Sequence, residues 1–294
     1  MWEGFDSTVL MRGNVGLNVR VGGRGEPLLL LHGPPQTGAM WHRVAPSLAE
    51  RFRVVVLDLR GYGDSGRPAA GEASLAYAKR EMALDALHVM RTLGHDRFQV
   101  LAHDRGARIA HRLAADHPQQ VERLLLLDIA PTLAMYRNTT EAFAMAYWHW
   151  FFLVQPPPLP EALIASDPVR YIRSVMGSRH AGLACFAPEA MAEYERCIAI
   201  PGTAESICAD YRASAGIDLV HDQADVDAGR KLAQPLRVLW GEHGAVGRNF
   251  DVLALWRERA VQVTGRSVAC GHYLAEEAPD QVLSEAFEFF RSKQ

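Results

Sequence analysis

Short apolar runs recur toward both ends of the chain, and longer amphipathic stretches separate them. Runs of this kind, bounded by polar residues, are typical of strands buried on both faces of a parallel sheet. They occupy residues 27–31, 53–57, 98–101, 123–127, 236–240 and 262–263. Residues 74–93 and 106–116 instead repeat apolar side chains at helical spacing. This alternation predicts an α/β fold built on a mostly parallel, doubly wound sheet.

The alternation stops after Asp128 and resumes near Pro235. The interval between them lacks strand patterns and is rich in aromatic residues and alanine. We predict that residues 131–234 form a helical cap, inserted into a core made of residues 1–130 and 235–294. The alternative is that these helices simply extend a single domain. A proline-rich stretch at residues 155–160 is too short for a disordered linker and predicts a helix–helix connection.

Residues 100–108, VLAHDRGAR, place a charged side chain where a buried strand turns sharply into a helix. The pattern small-x-nucleophile-x-glycine is typical of a nucleophile elbow, with Asp104 in the nucleophile position. A carboxylate suits attack at a saturated carbon that carries a leaving group, and the attack forms an alkyl-enzyme ester. The alternative role for Asp104 is a helix N-cap. The two roles are compatible, because a helix N-terminus also stabilises an ionised carboxylate.

Polar residues that follow other strand-like runs complete a predicted catalytic set, because ligands of open α/β sheets bind at the carboxyl ends of the strands. His272 lies in a glycine-containing turn after the last run and is the predicted base, which would activate water to hydrolyse the ester. The alternative for His272 is a structural histidine. We favour Asp128 as the acid that orients His272, because residues 127–131 place one carboxylate where the predicted cap begins; Glu242 is the alternative acid.

Two arginines follow the nucleophile position on one face of the predicted helix. Arg105 and Arg108 are spaced to bind a substrate carboxylate, which guanidinium groups hold through paired hydrogen bonds. The alternative is that they are ordinary solvated charges, and Arg112, one turn further, is predicted to be structural. Pro34 occupies the position after His32-Gly33 where an oxyanion hole usually has a backbone N–H, which proline lacks. The backbone N–H of Arg105 is the other expected donor.

Composition limits the function classes. The chain has 294 residues, 22% of them charged, with a net charge of −3, so we expect neither a nucleic-acid nor a membrane partner. We see no signal peptide or membrane span and expect a cytoplasmic protein. The four cysteines have no metal-ligand or CxxC spacing, and the twelve histidines form no HExxH cluster. We therefore expect reduced structural thiols, no metal and no cofactor.

Together these motifs resemble the α/β-hydrolases that use aspartate as nucleophile, a group that contains haloalkane dehalogenases, epoxide hydrolases and fluoroacetate dehalogenases. The resemblance rests on residues 32–35, 58–65 and 103–108, and it runs from the first strand to the last helix. The sequence DRGAR at 104–108 is most similar to fluoroacetate (haloacetate) dehalogenases, as are residues 147–150 and 210–213.

The resemblance implies an α/β-hydrolase fold and hydrolysis of a small halogenated carboxylic acid. It implies that Asp104 is the nucleophile, His272 the base and Asp128 the acid, and that Arg105 and Arg108 hold the substrate carboxylate. It also implies a halide site made of His149, Trp150 and Tyr211. Without the resemblance, we would assign these aromatic residues to the core of a cap helix. By analogy with the family, we expect a homodimer.

The sequence departs from the family pattern at two places. Pro34 replaces a residue with an N–H, and residues 177–180 lack a tryptophan expected near the substrate. Two other functions therefore stay open. An epoxide hydrolase would share the nucleophile and base and would use cap tyrosines to protonate the epoxide oxygen. A hydrolase-shaped binding protein with little or no turnover would account for Pro34.

Overall fold

One sheet forms the centre of the protein in the computed structural model, which describes residues 1–291. Its strands are β1 (Phe5–Arg12), β2 (Val15–Gly22), β3 (Glu26–Leu31), β4 (Phe52–Leu57), β5 (Phe98–His103), β6 (Val121–Leu127), β7 (Leu236–Gly241) and β8 (Val263–Val268). They lie in the order β1-β2-β4-β3-β5-β6-β7-β8. β2 pairs antiparallel with β1 and β4, and all other neighbours are parallel. The mostly parallel sheet confirms the predicted fold class.

The helices that flank the sheet in sequence are α1 (Ala45–Ala49), α2 (Lys79–Thr92), α3 (Asp104–Asp116), α12 (Ala245–Asn249), α13 (Val252–Arg259), α14 (Leu274–Glu277) and α15 (Pro279–Phe289). Between β6 and β7 lie α4 (Thr132–Arg137), α5 (Glu141–Ala146), α6 (Trp148–Leu153), α7 (Leu159–Ser166), α8 (Pro168–Gly177), α9 (Pro188–Ile198), α10 (Thr203–Ala215) and α11 (Ile217–Asp227). Short 3-10 helices span Gly38–Trp41 and Glu72–Tyr77. The insertion is helical, as predicted, and its division from the core as a separate cap stays a prediction.

Burial explains which strands the hydrophobic pattern reveals. The apolar residues of β3, β5 and β6 are almost completely buried, as expected for parallel strands covered by helices on both faces. β1 is an edge strand that leaves Val9 and Met11 more than half exposed, so it gives no continuous apolar run. β1 was therefore not predicted from the sequence, and β2 was not predicted either. The proline-rich stretch lies between α6 and α7, where a helix–helix connection was predicted.

The motif at residues 58–65 holds loops together at the carboxyl ends of the strands. The buried Asp58 carboxylate accepts hydrogen bonds from the Gly38 N–H at 2.7 Å and from the Asn18 side-chain amide at 2.7 Å. His32 Nε2 accepts a hydrogen bond from the Leu59 N–H at 3.0 Å. Because these groups are buried and paired, the loop geometry depends on them. These contacts give the motif at residues 58–65 a structural role, and we assign it no reacting group.

Helix α3 approaches β3 very closely. The Gly106 N–H donates to the His32 carbonyl at 2.9 Å. A Cβ atom on Gly106 would lie 2.4 Å from that carbonyl oxygen and 2.6 Å from the Leu31 carbonyl carbon. Only glycine fits this position without a shift of the backbone, so Gly106 sets the distance between the start of α3 and the sheet.

We expect Gly106→Ala to lower the free energy of unfolding by about 2–3 kcal/mol, because the added methyl group collides with backbone atoms that cannot rotate away. In an unconstrained helix interior, the same change stabilises by about 1 kcal/mol, so the sign is diagnostic. Urea denaturation measures the difference. Gly177→Ala in α8 is the control, because its Cβ would meet only the Leu183 side chain, at 3.3 Å. A Gly106→Ala protein as stable as wild type would contradict this account of the packing.

Candidate active site

Asp104 lies at the junction of β5 and α3, in the conformation that a nucleophile elbow requires. Its φ angle is +43°, and among non-glycine residues such values are uncommon. Gly33 packs against it so closely that a Cβ on Gly33 would lie 2.7 Å from the Asp104 Cβ. Backbone strain of this kind persists only where the surrounding structure holds it, and it is concentrated at functional sites. The turn presents the Asp104 carboxylate to a cavity rather than to the helix that follows.

His272 lies between two carboxylates. Its Nδ1 atom is 2.6 Å from Asp128 Oδ2, and its Nε2 atom is 3.4 Å from Asp104 Oδ2. The other Asp128 oxygen accepts a hydrogen bond from the Gly241 N–H at 3.0 Å, and Asp128 itself has a φ angle of +50°. The structure thus brings together the three residues predicted as nucleophile, base and acid. Glu242, the alternative acid, is exposed.

The electrostatics of this group follow from burial and pairing. Burial alone would lower the pKa of His272, but hydrogen bonds and charge attraction from Asp104 and Asp128 outweigh it and raise the pKa to about 9. Burial opposes ionisation of Asp104, yet His272 and Arg108 hold the pKa of its carboxyl well below the ordinary range. In the resting protein, a protonated imidazole therefore separates two carboxylates. The His103 ring fixes the backbone beside them, because its Nε2 lies 2.9 Å from the His272 carbonyl.

Arg105 is fully buried and held by α10. Its guanidinium lies 2.6 Å from Asp210 Oδ1 and donates a hydrogen bond to the Ser214 hydroxyl. The guanidinium carbon lies 4.3 Å from the centre of the Tyr211 ring. Asp210 also pairs with Lys79. One Arg105 nitrogen, Nη1, is buried and has no hydrogen-bond partner in the described chain. Arg105 is thus not a solvated helix charge.

Arg108 is buried as well, but no carboxylate within residues 1–291 forms an ion pair with it at 4 Å or less. Its guanidinium donates to the Thr132 hydroxyl at 2.9 Å and lies 4.8 Å from the Trp150 ring centre. Its Nε is buried without a partner. Burial lowers the pKa of Arg108, and the nearby Asp104 charge opposes that effect. Arg112 pairs with Asp222 and Asp225 at the other end of the face, away from Asp104.

The three predicted halide ligands come together on α6 and α10. The Tyr211 ring centre lies 6.0 Å from that of His149 and 6.4 Å from that of Trp150. Burial, with Arg179 adding to it, holds the pKa of His149 well below its usual value, so the ring is neutral. Burial also raises the pKa of Tyr211, which keeps its phenol protonated. The Trp150 N–H is buried without a partner among the described residues. All three side chains can donate a hydrogen bond.

A small cavity lies beside Asp104, His149, Tyr211 and His272, and its lining does not include Arg105, Arg108 or Trp150. It is lined by Pro34, Pro35, Asp104, His149, Leu153, Tyr171, Val175, Arg179, Ile207, Tyr211, His272 and Tyr273. Its volume is only about 20 Å³, so the cavity suits a molecule of very few atoms. Its wall is largely apolar, which strengthens charge interactions inside.

The loop after β3 lacks one of the two main-chain donors that an oxyanion hole would use. Pro34 lines the cavity and has no N–H to donate. Arg105 follows the nucleophile in the first turn of α3, where backbone N–H groups have no partner within the helix. The Arg105 N–H is therefore the remaining main-chain candidate to donate a hydrogen bond to an oxygen on Asp104.

Two residues at the site were missed by the sequence analysis. Asp210 binds Arg105; it lies in the segment 210–213 that resembles the dehalogenases, but no role was predicted for it. Arg179 lines the cavity in the segment where a tryptophan was expected. Neither role follows from local pattern, because each depends on how the inserted helices pack on the core.

A metal site or a disulfide would require a particular arrangement of the histidine, cysteine and acidic side chains in residues 1–291. No group of three or more histidine, cysteine or acidic side chains there is arranged to hold a metal ion. The four cysteines are unbonded, and burial raises the pKa of Cys270 to about 12. None of the helices within this range has the length and apolar character needed to cross a membrane.

Comparisons with known proteins agree with this architecture. A family described as the alpha/beta hydrolase fold matches residues 26–279. A fluoroacetate dehalogenase from Burkholderia sp. is 40% identical over 290 residues, covering 98% of this chain and 95% of that protein. A soluble epoxide hydrolase from Corynebacterium sp. (strain C12) is 36% identical, with 91% of both chains covered. A crystal structure from Nostoc sp. PCC 7120, described as an alpha/beta hydrolase, superposes with a TM-score of 0.96 at 51% identity, covering 98% of this chain and 99% of the other.

We expect His272 to stay protonated at neutral pH and to lose its proton near pH 9. Asp104→Asn removes one of the two carboxylates that favour the charged ring, so the pKa of His272 should fall toward the ordinary value of about 6.5. NMR titration of the histidine ring nitrogens measures both values. His111, which packs on Trp256 away from Asp104, serves as an internal control whose pKa of about 4 should not change. A wild-type His272 that titrates below pH 6.5 would contradict the proposed electrostatics.

Proposed function

The chain belongs to the α/β hydrolase family, and we propose that within it the protein is a haloacetate dehalogenase. It would convert fluoroacetate or chloroacetate and water into glycolate and halide through an ester on Asp104, without a cofactor. The observation that carries the proposal is an ionised aspartate at an elbow, paired with a histidine–aspartate couple and facing a very small cavity near unpartnered arginine N–H groups.

In the first step, Asp104 attacks the α-carbon of the haloacetate from the side opposite the halogen. A carbon–oxygen bond forms as the carbon–halogen bond breaks, and the halogen leaves with the electron pair. The low pKa of Asp104 supports this role, because the carboxylate is ionised without a preceding proton transfer. The tight cavity supports it too, since it restricts the substrate to orientations near the attacking oxygen.

Arg108 and Arg105 are the proposed carboxylate ligands. Each has a buried nitrogen without a partner in the described chain, Nε of Arg108 and Nη1 of Arg105. An unpaired buried donor costs roughly 1–3 kcal/mol, and a substrate carboxylate would remove that cost. Arg105 is already neutralised by Asp210, whereas Arg108 has only the nearby Asp104 charge. Arg108 is therefore proposed to contribute the larger share of the attraction.

His149, Trp150 and Tyr211 are proposed to stabilise the departing halide. Fluoride is a poor leaving group, and its developing charge requires several preorganised donors in a site that excludes water. The three groups supply an imidazole N–H, an indole N–H and a phenol O–H within one cluster. The unpartnered Trp150 N–H supports this assignment most directly.

In the second step, His272 directs water onto the ester carbonyl of Asp104. Formation of the ester removes the Asp104 charge, and with it one of the interactions that raise the pKa of His272. The ring can then release its proton to solvent and accept one from the attacking water. The hydroxide adds to the ester carbonyl carbon, the bond between that carbon and the glycolate oxygen breaks, and protonated His272 gives its proton to the departing oxygen. Glycolate leaves, and the Asp104 carboxyl, which keeps the water oxygen, returns a proton to His272. Asp128 stabilises the protonated ring, and the Arg105 backbone N–H is the proposed donor to the oxyanion.

The proposal predicts halide release from fluoroacetate and chloroacetate by the wild-type protein and none by Asp104→Asn. His272→Asn should form the ester but not hydrolyse it, so its mass should increase by one carboxymethyl group. Halide-specific detection and intact-protein mass spectrometry measure these outcomes. Arg137→Gln, on α4 and outside the cavity lining, is the control for arbitrary substitution. A folded wild-type protein that releases no halide from either acid would overturn the proposal; binding without product would indicate a binding protein.

An epoxide hydrolase is the second candidate, favoured by the protonated Tyr211 hydroxyl in the cavity wall beside Asp104. Such an enzyme would use the same two steps, with tyrosine donating a proton to the epoxide oxygen. It gives the unpartnered Arg108 nitrogen no role. Comparison of kcat/KM for styrene oxide and chloroacetate separates the two functions. We expect chloroacetate to be preferred, and a preference for styrene oxide would assign the protein to the second function.

A further inference from the structure

A second cavity adjoins the catalytic one and opens to solvent, and we refer to it as the vestibule. Its lining includes Arg179, His180, His243 and Arg248, and no residue of that lining is acidic. His180, His243 and Arg248 are exposed. The volume of the vestibule is about 290 Å³. The vestibule is thus much larger than the catalytic cavity and presents positive charge.

Arg179 lines both cavities, and so does His272. The Arg179 guanidinium lies 4.9 Å from the centre of the Tyr147 ring and donates to the Ala146 carbonyl at 3.4 Å. Its Nε is buried without a hydrogen-bond partner in the described chain. Of the three arginines near Asp104, Arg179 is the one that lines the open space.

The other charges around the catalytic cavity are arranged in pairs. Asp128 and Asp104 carry two negative charges, and the protonated His272 carries one positive charge. Arg108 lies near enough to Asp104 to lower the pKa of that carboxyl.

Arg105 is likewise balanced by Asp210. Arg179 has no acidic partner within 4 Å in the part of the chain described here. Arg108 shares this property, but of the two only Arg179 lines the catalytic cavity and the vestibule.

We propose that Arg179 binds the substrate carboxylate at the boundary between the vestibule and the catalytic cavity, and that it selects anionic over neutral substrates. The inference rests on the proposed haloacetate substrate and adds a residue to its recognition. A half-buried guanidinium without a counterion has lost part of its hydration, and a charge-assisted hydrogen bond to a carboxylate compensates for that loss. The positive vestibule raises the local concentration of anions near it.

Equilibrium binding to the Asp104→Asn protein tests the proposal without turnover. We expect Arg179→Gln in this background to weaken chloroacetate binding about tenfold or more, as the loss of a charge-assisted hydrogen bond implies. Binding of chloroacetamide, a neutral analogue of the same size, should change less than about twofold. NMR titration measures both dissociation constants. Arg179→Met is a second neutral variant that keeps apolar contact with Tyr147, and Arg179→Lys should retain most of the affinity.

Steady-state kinetics give an independent reading in the otherwise wild-type protein. Arg179→Gln should raise KM for chloroacetate with kcat nearly unchanged, and kcat/KM should depend less on NaCl concentration. Arg170→Gln, which removes an exposed arginine of α8 outside both cavities, is the matched control.

Equal losses for chloroacetate and chloroacetamide, or unchanged chloroacetate binding, would overturn the role of Arg179. Absence of halide release by wild type would instead overturn the proposed function, since the binding measurements do not require turnover.

Discussion

Everything at this site depends on one imidazole ring held between two buried carboxylates. Each carboxylate alone would be costly to keep ionised so far from water. The positive charge on His272 offsets that cost for Asp104 and Asp128 together, and their charges in turn keep the ring protonated. The three groups therefore share a protonation state, and a change in the charge of one alters the others. The proposed conversion of Asp104 to an ester would be such a change.

The backbone is built to keep this arrangement in place. Both aspartates occupy left-handed conformations that aspartate tolerates better than most side chains but that still require support. Gly106 and Gly33 provide that support at Asp104, because they let α3 and the loop after β3 approach the elbow closely. Asp128 is held by the Gly241 N–H at the neighbouring strand. Of the non-glycine residues with positive φ within residues 1–291, Asp104 and Asp128 are the two that carry charge.

Sequence patterns were sufficient for the parallel strands and for the elbow, because both depend on local rules. Continuous apolar runs identify β3 to β7, and the Asp104–Gly106 spacing identifies the turn that follows β5. The edge strand β1 gave no such signal, since half of its apolar side chains face solvent. The histidine–aspartate contact was predicted from the positions of Asp128 and His272 after strand-like runs, and the geometry favours Asp128 over Glu242. The contacts of Arg105 were not predictable, because its partner Asp210 lies 105 residues away on an inserted helix.

The buried ion pairs that join Arg105 and Lys79 to Asp210 also connect the central fold to α10. A hinge that lifted the whole insertion away would have to separate these charges in a nonpolar environment, at a cost of several kcal/mol. The pairs therefore fasten α10 to the central fold at Asp210, whereas the residues that line the open recess form no ion pair at 4 Å or less within residues 1–291, His272 apart.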